Sequence, residues 1–278
     1  MKIEENISPE HIAILDPYLG LNQWTDLLSE CLLELGGEKE FNSKHYDLEK
    51  KIWADLKTNP GITKWRTLEI KSVPLKYPQH PVRSDSRKTK SSNIFCKENH
   101  LKHFISIDMK QANFQVIKLN ELIDTETWSE YLTRFQVHPY FAKLKKLRLK
   151  VMTFPELCPT KQKIAWENCT LEILDRIIES KTLSETDFAV WNGDEIVFHT
   201  ESDTMLDKYH KLGQFLAEQF PNVQLHCQIF QLMMLDEEKR YYVKLDPQTS
   251  KPTFKCIGSQ HMIEAVKLWE ERELNQII

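Results

Sequence analysis

The chain lacks any long hydrophobic run. Its longest apolar stretches are far too short to span a bilayer, so no membrane partner is expected. The opening residues, MKIEENISPE, have no apolar stretch behind their charges, and no secretory signal is expected. The predicted location is therefore intracellular: the cytoplasm, the nucleus, or packaged in a virion made in the cell. No CxxC pair occurs among the six cysteines, at 31, 96, 158, 169, 227 and 256. Several lie in apolar contexts and read as reduced core thiols, not as a disulfide framework. Strong charge of one sign is also missing. The net charge of -4 argues against a sequence-blind coat for nucleic acid, yet leaves room for an enzyme with a local basic groove. There are no repeats and no low-complexity segment.

What is present suits a folded α+β protein. The 278 residues allow one large domain or two ordinary ones, and the 41% hydrophobic content is enough for a sizeable core. Trp24, Leu27, Leu28, Cys31, Leu32 and Leu35 recur at helical spacing, and Gly36-Gly37 ends the run. Leu48, Ile52 and Leu56 predict a second helix that stops near Asn59-Pro60-Gly61. Pro74, Pro78 and Pro81 then break the chain ahead of a basic, Ser-rich loop. Downstream, HFISID (103 to 108) reads as a strand, 127 to 150 as broken helix, and 162 to 180 as an amphipathic helix. Phe188 to Trp191 and Glu195 to His199 are strands around Asn192-Gly193, a strong hairpin signal. Ser202 is placed to cap a helix from Asp203 to Phe220. Val223, Leu225, Cys227 and Ile229 alternate as in a strand. The order strand, helix, strand, strand, helix, strand is that of a split βαβ, or ferredoxin-like, layout. Two short strands, YYVKL and TFKCI, and a helix from about His261 to Leu274 follow.

That layout sets the first strand beside the central hairpin, and so Asp108 beside Asp194. Neighbouring carboxylates repel unless a proton or cation lies between them. Mg²⁺, or Mn²⁺ in its place, suits such a pair because it takes oxygen ligands and keeps part of its shell for phosphates. Each segment also has a plain explanation, since Asn-Gly-Asp-Glu is a good turn and Asp at a strand end is common.

The segment FISIDMKQANF (104 to 114) resembles the first metal-binding motif of palm-domain nucleic-acid polymerases, especially reverse-transcriptase-like ones. DFAVWNGDEIVFHT (187 to 200) resembles their hairpin of two acids followed by an apolar strand. The resemblance covers about residues 103 to 230. It implies catalytic metal ligands Asp108 and Asp194, with Glu195 auxiliary, and a template-dependent polymerase that adds nucleotides to a 3′ hydroxyl. The implied division is a mostly helical, fingers-like region over 1 to 95, a palm over 96 to 230, and small C-terminal strands and a helix over 231 to 278. The sequence departs from the pattern in two places. The aromatic-x-Asp-Asp turn is replaced by Asn192-Gly193-Asp194-Glu195, and the fifth residue after the first Asp, usually a bulky aromatic, is Asn113, with Phe114 following. A small polar residue there puts sugar selectivity in question.

The expected partners are nucleoside triphosphates and a DNA or RNA primer and template. A protein partner could supply a thumb or processivity, because the chain has little room for a thumb of its own. Arg83 and Arg87, with Lys88 and Lys90, stand where such enzymes have fingers, and Arg suits phosphate. Lys143, Lys145, Lys146, Arg148 and Lys150 form a second basic stretch, and Lys161 and Lys163 open the long helix. Lys110 is near the acids, and Lys244 and Lys255 on the late strands are within reach of a primer or nucleotide. A solvated surface is the plainer account of each basic stretch, and a surface salt bridge accounts equally for Lys110. Other readings of the same acids are a terminal nucleotidyltransferase, a nucleotide cyclase, a metal nuclease, or a non-catalytic palm that binds nucleic acid or a partner.

Overall fold

The computed structural model describes residues 9–79 and 94–277. Four helices come first: α1 (Pro9–Leu19), α2 (Leu21–Leu35), α3 (Glu38–Thr58) and α4 (Gly61–Thr67). Helix α2 ends where Gly36 takes a left-handed φ of 90°, and its N–H returns to the Leu32 and Leu33 carbonyls. Strand β1 (His103–Met109) follows, then α5 (Ala112–Leu119), α6 (Trp128–Thr133), α7 (Tyr140–Lys143), α8 (Lys145–Met152) and the long α9 (Pro159–Glu179). Next come β2 (Phe188–Trp191), β3 (Glu195–Thr200), α10 (Met205–Gln219), β4 (Leu225–Asp236), β5 (Tyr241–Leu245), β6 (Pro252–Lys255) and α11 (Met262–Ile277).

The fold is α+β, with one antiparallel six-stranded sheet in the order β2-β3-β1-β4-β5-β6. Strands β2 and β6 are its edges. Strand β4 runs through residue 230, and β5 and β6 continue the same sheet rather than starting a separate one. Ser202 is not a cap: α10 begins at Met205 after Thr204, whose side chain makes no capping bond. Residues 201 to 204 are spent in a turn that brings the chain back across the sheet.

Alternation along the strands gives the sheet two unlike faces. Ile105, Ile107, Ile196, Phe198 and Ile229 pack under α9 and α10 with Leu171, Ile173, Leu174, Ile177, Leu212 and Leu216. Phe104, Val197, Phe230, Leu232 and Tyr242 point the other way and gather with Ile94. A separate helical core holds Leu48, Ile52, Trp65, Phe114, Trp128, Tyr131 and Phe141. Helix α9 joins the two cores, since Ala165 and Trp166 pack on the helical one. Within that core the Trp65 indole N–H donates to the Leu157 carbonyl at 2.9 Å, and the Tyr131 hydroxyl donates to Asp55 at 2.7 Å.

All six cysteines are free; Cys31 and Cys96 are buried as expected, but Cys256 is exposed. Among the described residues no helix is long and apolar enough to cross a membrane. Arg83, Arg87, Lys88 and Lys90 lie outside the described residues.

Candidate functional site

Asp108 sits near the C-terminal end of β1, and the pairing register sets it directly opposite Glu195 on β3 and His226 on β4. It shares a sheet face with Phe104 and Ser106, the face opposite α9 and α10. The hairpin turn is closed by Asn192 N–H donating to the Glu195 carbonyl at 2.9 Å, with Gly193 at φ 81°. A left-handed φ there favours glycine. Met109 N–H donates to the Asp194 carbonyl at 2.9 Å, which fastens the turn to the end of β1. From below, Thr170 of α9 holds it as well. Its hydroxyl meets the Gly193 carbonyl and accepts the Trp191 indole N–H at 2.9 Å.

The electrostatics follow from this crowding. Lost hydration pushes the Asp108 carboxyl above the usual range, and the charges of Asp194 and then Glu195 push it further; His226 and Lys244 oppose the rise. Asp194 is more exposed, yet its carboxyl is also raised, chiefly by lost hydration. Its own backbone amide and Lys145 act against that shift, while Glu195 adds to it.

Glu195 is different. It accepts a bond from the Lys244 ammonium at 2.8 Å. Lys244 is only 3% exposed and lies 4.3 Å from the centre of the Phe230 ring. Because β1 and β4 separate β3 from β5, this ion pair requires the sheet to be concave on the acid-bearing face. Lys255 on β6 is half-buried, and its amine is held below its ordinary range by lost hydration and by the neighbouring Lys244, against the pull of Glu195 and Asp108.

The remaining candidates separate cleanly. Asn113 is half-buried on α5, which follows β1, and forms no side-chain hydrogen bond among the described residues. Phe114 is fully buried in the helical core, edge-on to Trp128 at 6.2 Å, and has no surface left for a nucleotide. Lys161 donates to the Trp65 carbonyl at 2.7 Å and the Arg66 carbonyl at 3.0 Å, closing the end of α4. Lys163 is exposed and pairs with Glu167 at 3.5 Å. Lys110 is exposed, next to the acids in sequence. Of the second basic stretch, Lys145 faces the site through its field on Asp194, and Arg148 is half-buried with no ion-pair partner among the described residues.

Among the described residues no group of three or more His, Cys, Asp or Glu side chains is arranged to hold a metal ion. With Glu195 engaged by Lys244, the acids left to take a cation are Asp108 and Asp194. A cavity of about 300 Å³ lies towards the other end of the same face, lined by Asn99, Lys102, Phe104, Asp187 and His199, and does not reach Asp108, Asp194 or Glu195.

Sequence reasoning missed the Lys244–Glu195 bond, His226 and Thr170. A charged residue inside the apolar run YYVKL was the one available signal, since a buried lysine needs a partner. No protein-family model matches the chain, and neither a curated protein nor a solved structure matches it.

Proposed function

We propose that the chain is a metal-dependent nucleotidyltransferase of the palm type, a template-dependent polymerase that extends a 3′ hydroxyl. One observation carries the reading: Asp108 lies opposite Glu195 and in the field of Asp194, on the face of an antiparallel sheet opposite α9 and α10. The first four strands neighbour one another as β4-β1-β3-β2. That order supports a split βαβ, ferredoxin-like palm, with β5 and β6 as an extension.

Asp108 and Asp194 fit Mg²⁺ or Mn²⁺, because such an ion binds through one or two carboxylates and completes its shell with water and phosphate. Both carboxyls are raised chiefly by lost hydration, with neighbouring acids adding to the rise, so a cation beside them would favour their charged forms. The bound ion supplies a lowered pKa at the attacking hydroxyl and charge neutralisation at the leaving pyrophosphate. The chain's own residues orient and hold. Met109 N–H and Thr170 fix the acid turn, and Lys145 offers positive charge beside Asp194. Asn113, with no side-chain hydrogen bond among the described residues, would meet the sugar.

The test is primer extension with labelled DNA and RNA primers, with and without template, using deoxyribonucleotides and ribonucleotides in Mg²⁺ or Mn²⁺. Template-dependent extension is the expected result. Extension without template would point to a terminal transferase, and primer shortening to a nuclease. No product from any combination would overturn the catalytic reading and leave a binding palm.

A further inference from the structure

We propose that Lys244 and Lys255 form a phosphate-binding subsite on the concave face, taking a phosphoryl oxyanion next to the acids. Lys244 pairs with Leu232 and Lys255 with Tyr242, both on the acid-bearing face, so the two lysines are diagonal neighbours on adjoining strands. Lys244 is buried and has a single ion-pair partner among the described residues, Glu195 at 2.8 Å. Lys255 is half-buried and makes no salt bridge or hydrogen bond among the described residues.

Two amines withdrawn from water therefore share one bonded carboxylate. Withdrawing an ammonium from water without a counter-ion costs free energy. A phosphoryl group offers several strong acceptors and more than one negative charge, so it can satisfy both amines where a second carboxylate is missing. The subsite rests on the nucleotidyl-transfer reading only for which phosphate comes to it. Binding of the anion needs no metal.

The experiment separates the two ideas. The full chain carrying Asp108→Asn is titrated in chelator, where catalysis plays no part and one repelling charge is gone. The probes are inorganic pyrophosphate and a short oligothymidylate without terminal phosphate, followed by calorimetry. Saturable binding of either is expected. Preference for pyrophosphate identifies a free phosphate, and preference for the oligonucleotide a phosphodiester backbone. Adding Lys255→Met should weaken the preferred probe about tenfold, the scale of one charged hydrogen bond. Lys255→Arg should restore it, and Lys267→Met on the exposed side of α11 should leave it unchanged. Methionine keeps the apolar stem, so the melting temperature should hold or rise. The proposal fails if neither probe saturates or if Lys255→Met binds as the parent does. It also fails if that variant melts lower, which would make the amine structural.

Discussion

A carboxyl short of water and beside other acids costs free energy whenever it is charged. Asp108 and Asp194 hold their protons more tightly in the folded chain than in the unfolded one. The folded state thus binds more protons over a window that opens at the ordinary 3.8 and runs upward, and the metal-free protein loses stability as pH rises through it. Asp108→Asn and Asp194→Asn should each flatten that slope in melting curves taken without metal, and each should be at least as stable as the parent at neutral pH. Mg²⁺ at about a hundred times its dissociation constant should stabilise the parent by about 2.7 kcal/mol and both variants less. Incorporation should fall about a hundredfold or more in each, and less in Glu195→Gln, whose side chain is already engaged by Lys244. Full activity in both Asn variants would move the site elsewhere. Asn113→Tyr should cut ribonucleotide use more than deoxyribonucleotide use; an equal loss, read as kcat/KM for the two sugars, would remove Asn113 from the sugar.

The elements that carry the acids depend on α9 for support. Thr170→Val leaves the Trp191 indole N–H and the Gly193 carbonyl short of a partner, which costs about 1–3 kcal/mol. The expected result is a lower melting temperature and a lower kcat, with Thr170→Ser recovering both. Unchanged values would show that Met109 alone holds the turn. This support has no local signature, which explains what the sequence hid. Strand β1, the Asn192-Gly193 hairpin and helices α2 and α3 were legible because period and punctuation are local. Phe114 and Lys161 were misleading for the opposite reason. Each has a residue type suited to a nucleotide, but distant partners, Trp128 for one and the carbonyls of Trp65 and Arg66 for the other, take them into the structure. The Lys244–Glu195 bond spans 49 positions and depends on the curvature of the sheet, a property no single segment encodes.

At the scale of the molecule, α9 is packed into both cores at once. Leu174 is fully buried at the sheet end of that helix. Leu174→Ala should cost about 2–5 kcal/mol, and the variant should still unfold in one transition followed by both near-UV signal and far-UV signal. Two separated transitions would mean that the helical region and the sheet fold independently despite the shared helix. The sheet's borders bear on a different matter, how copies of this chain treat one another. Strand β2 has four residues and a register shift between Phe188 and Val190; β6 also has four and starts at Pro252. Short, interrupted or proline-led borders give a neighbouring backbone few aligned groups to zip onto. The molecule can therefore carry its acids at one end of the sheet without also offering a strand on which sheets from separate copies would grow into aggregates.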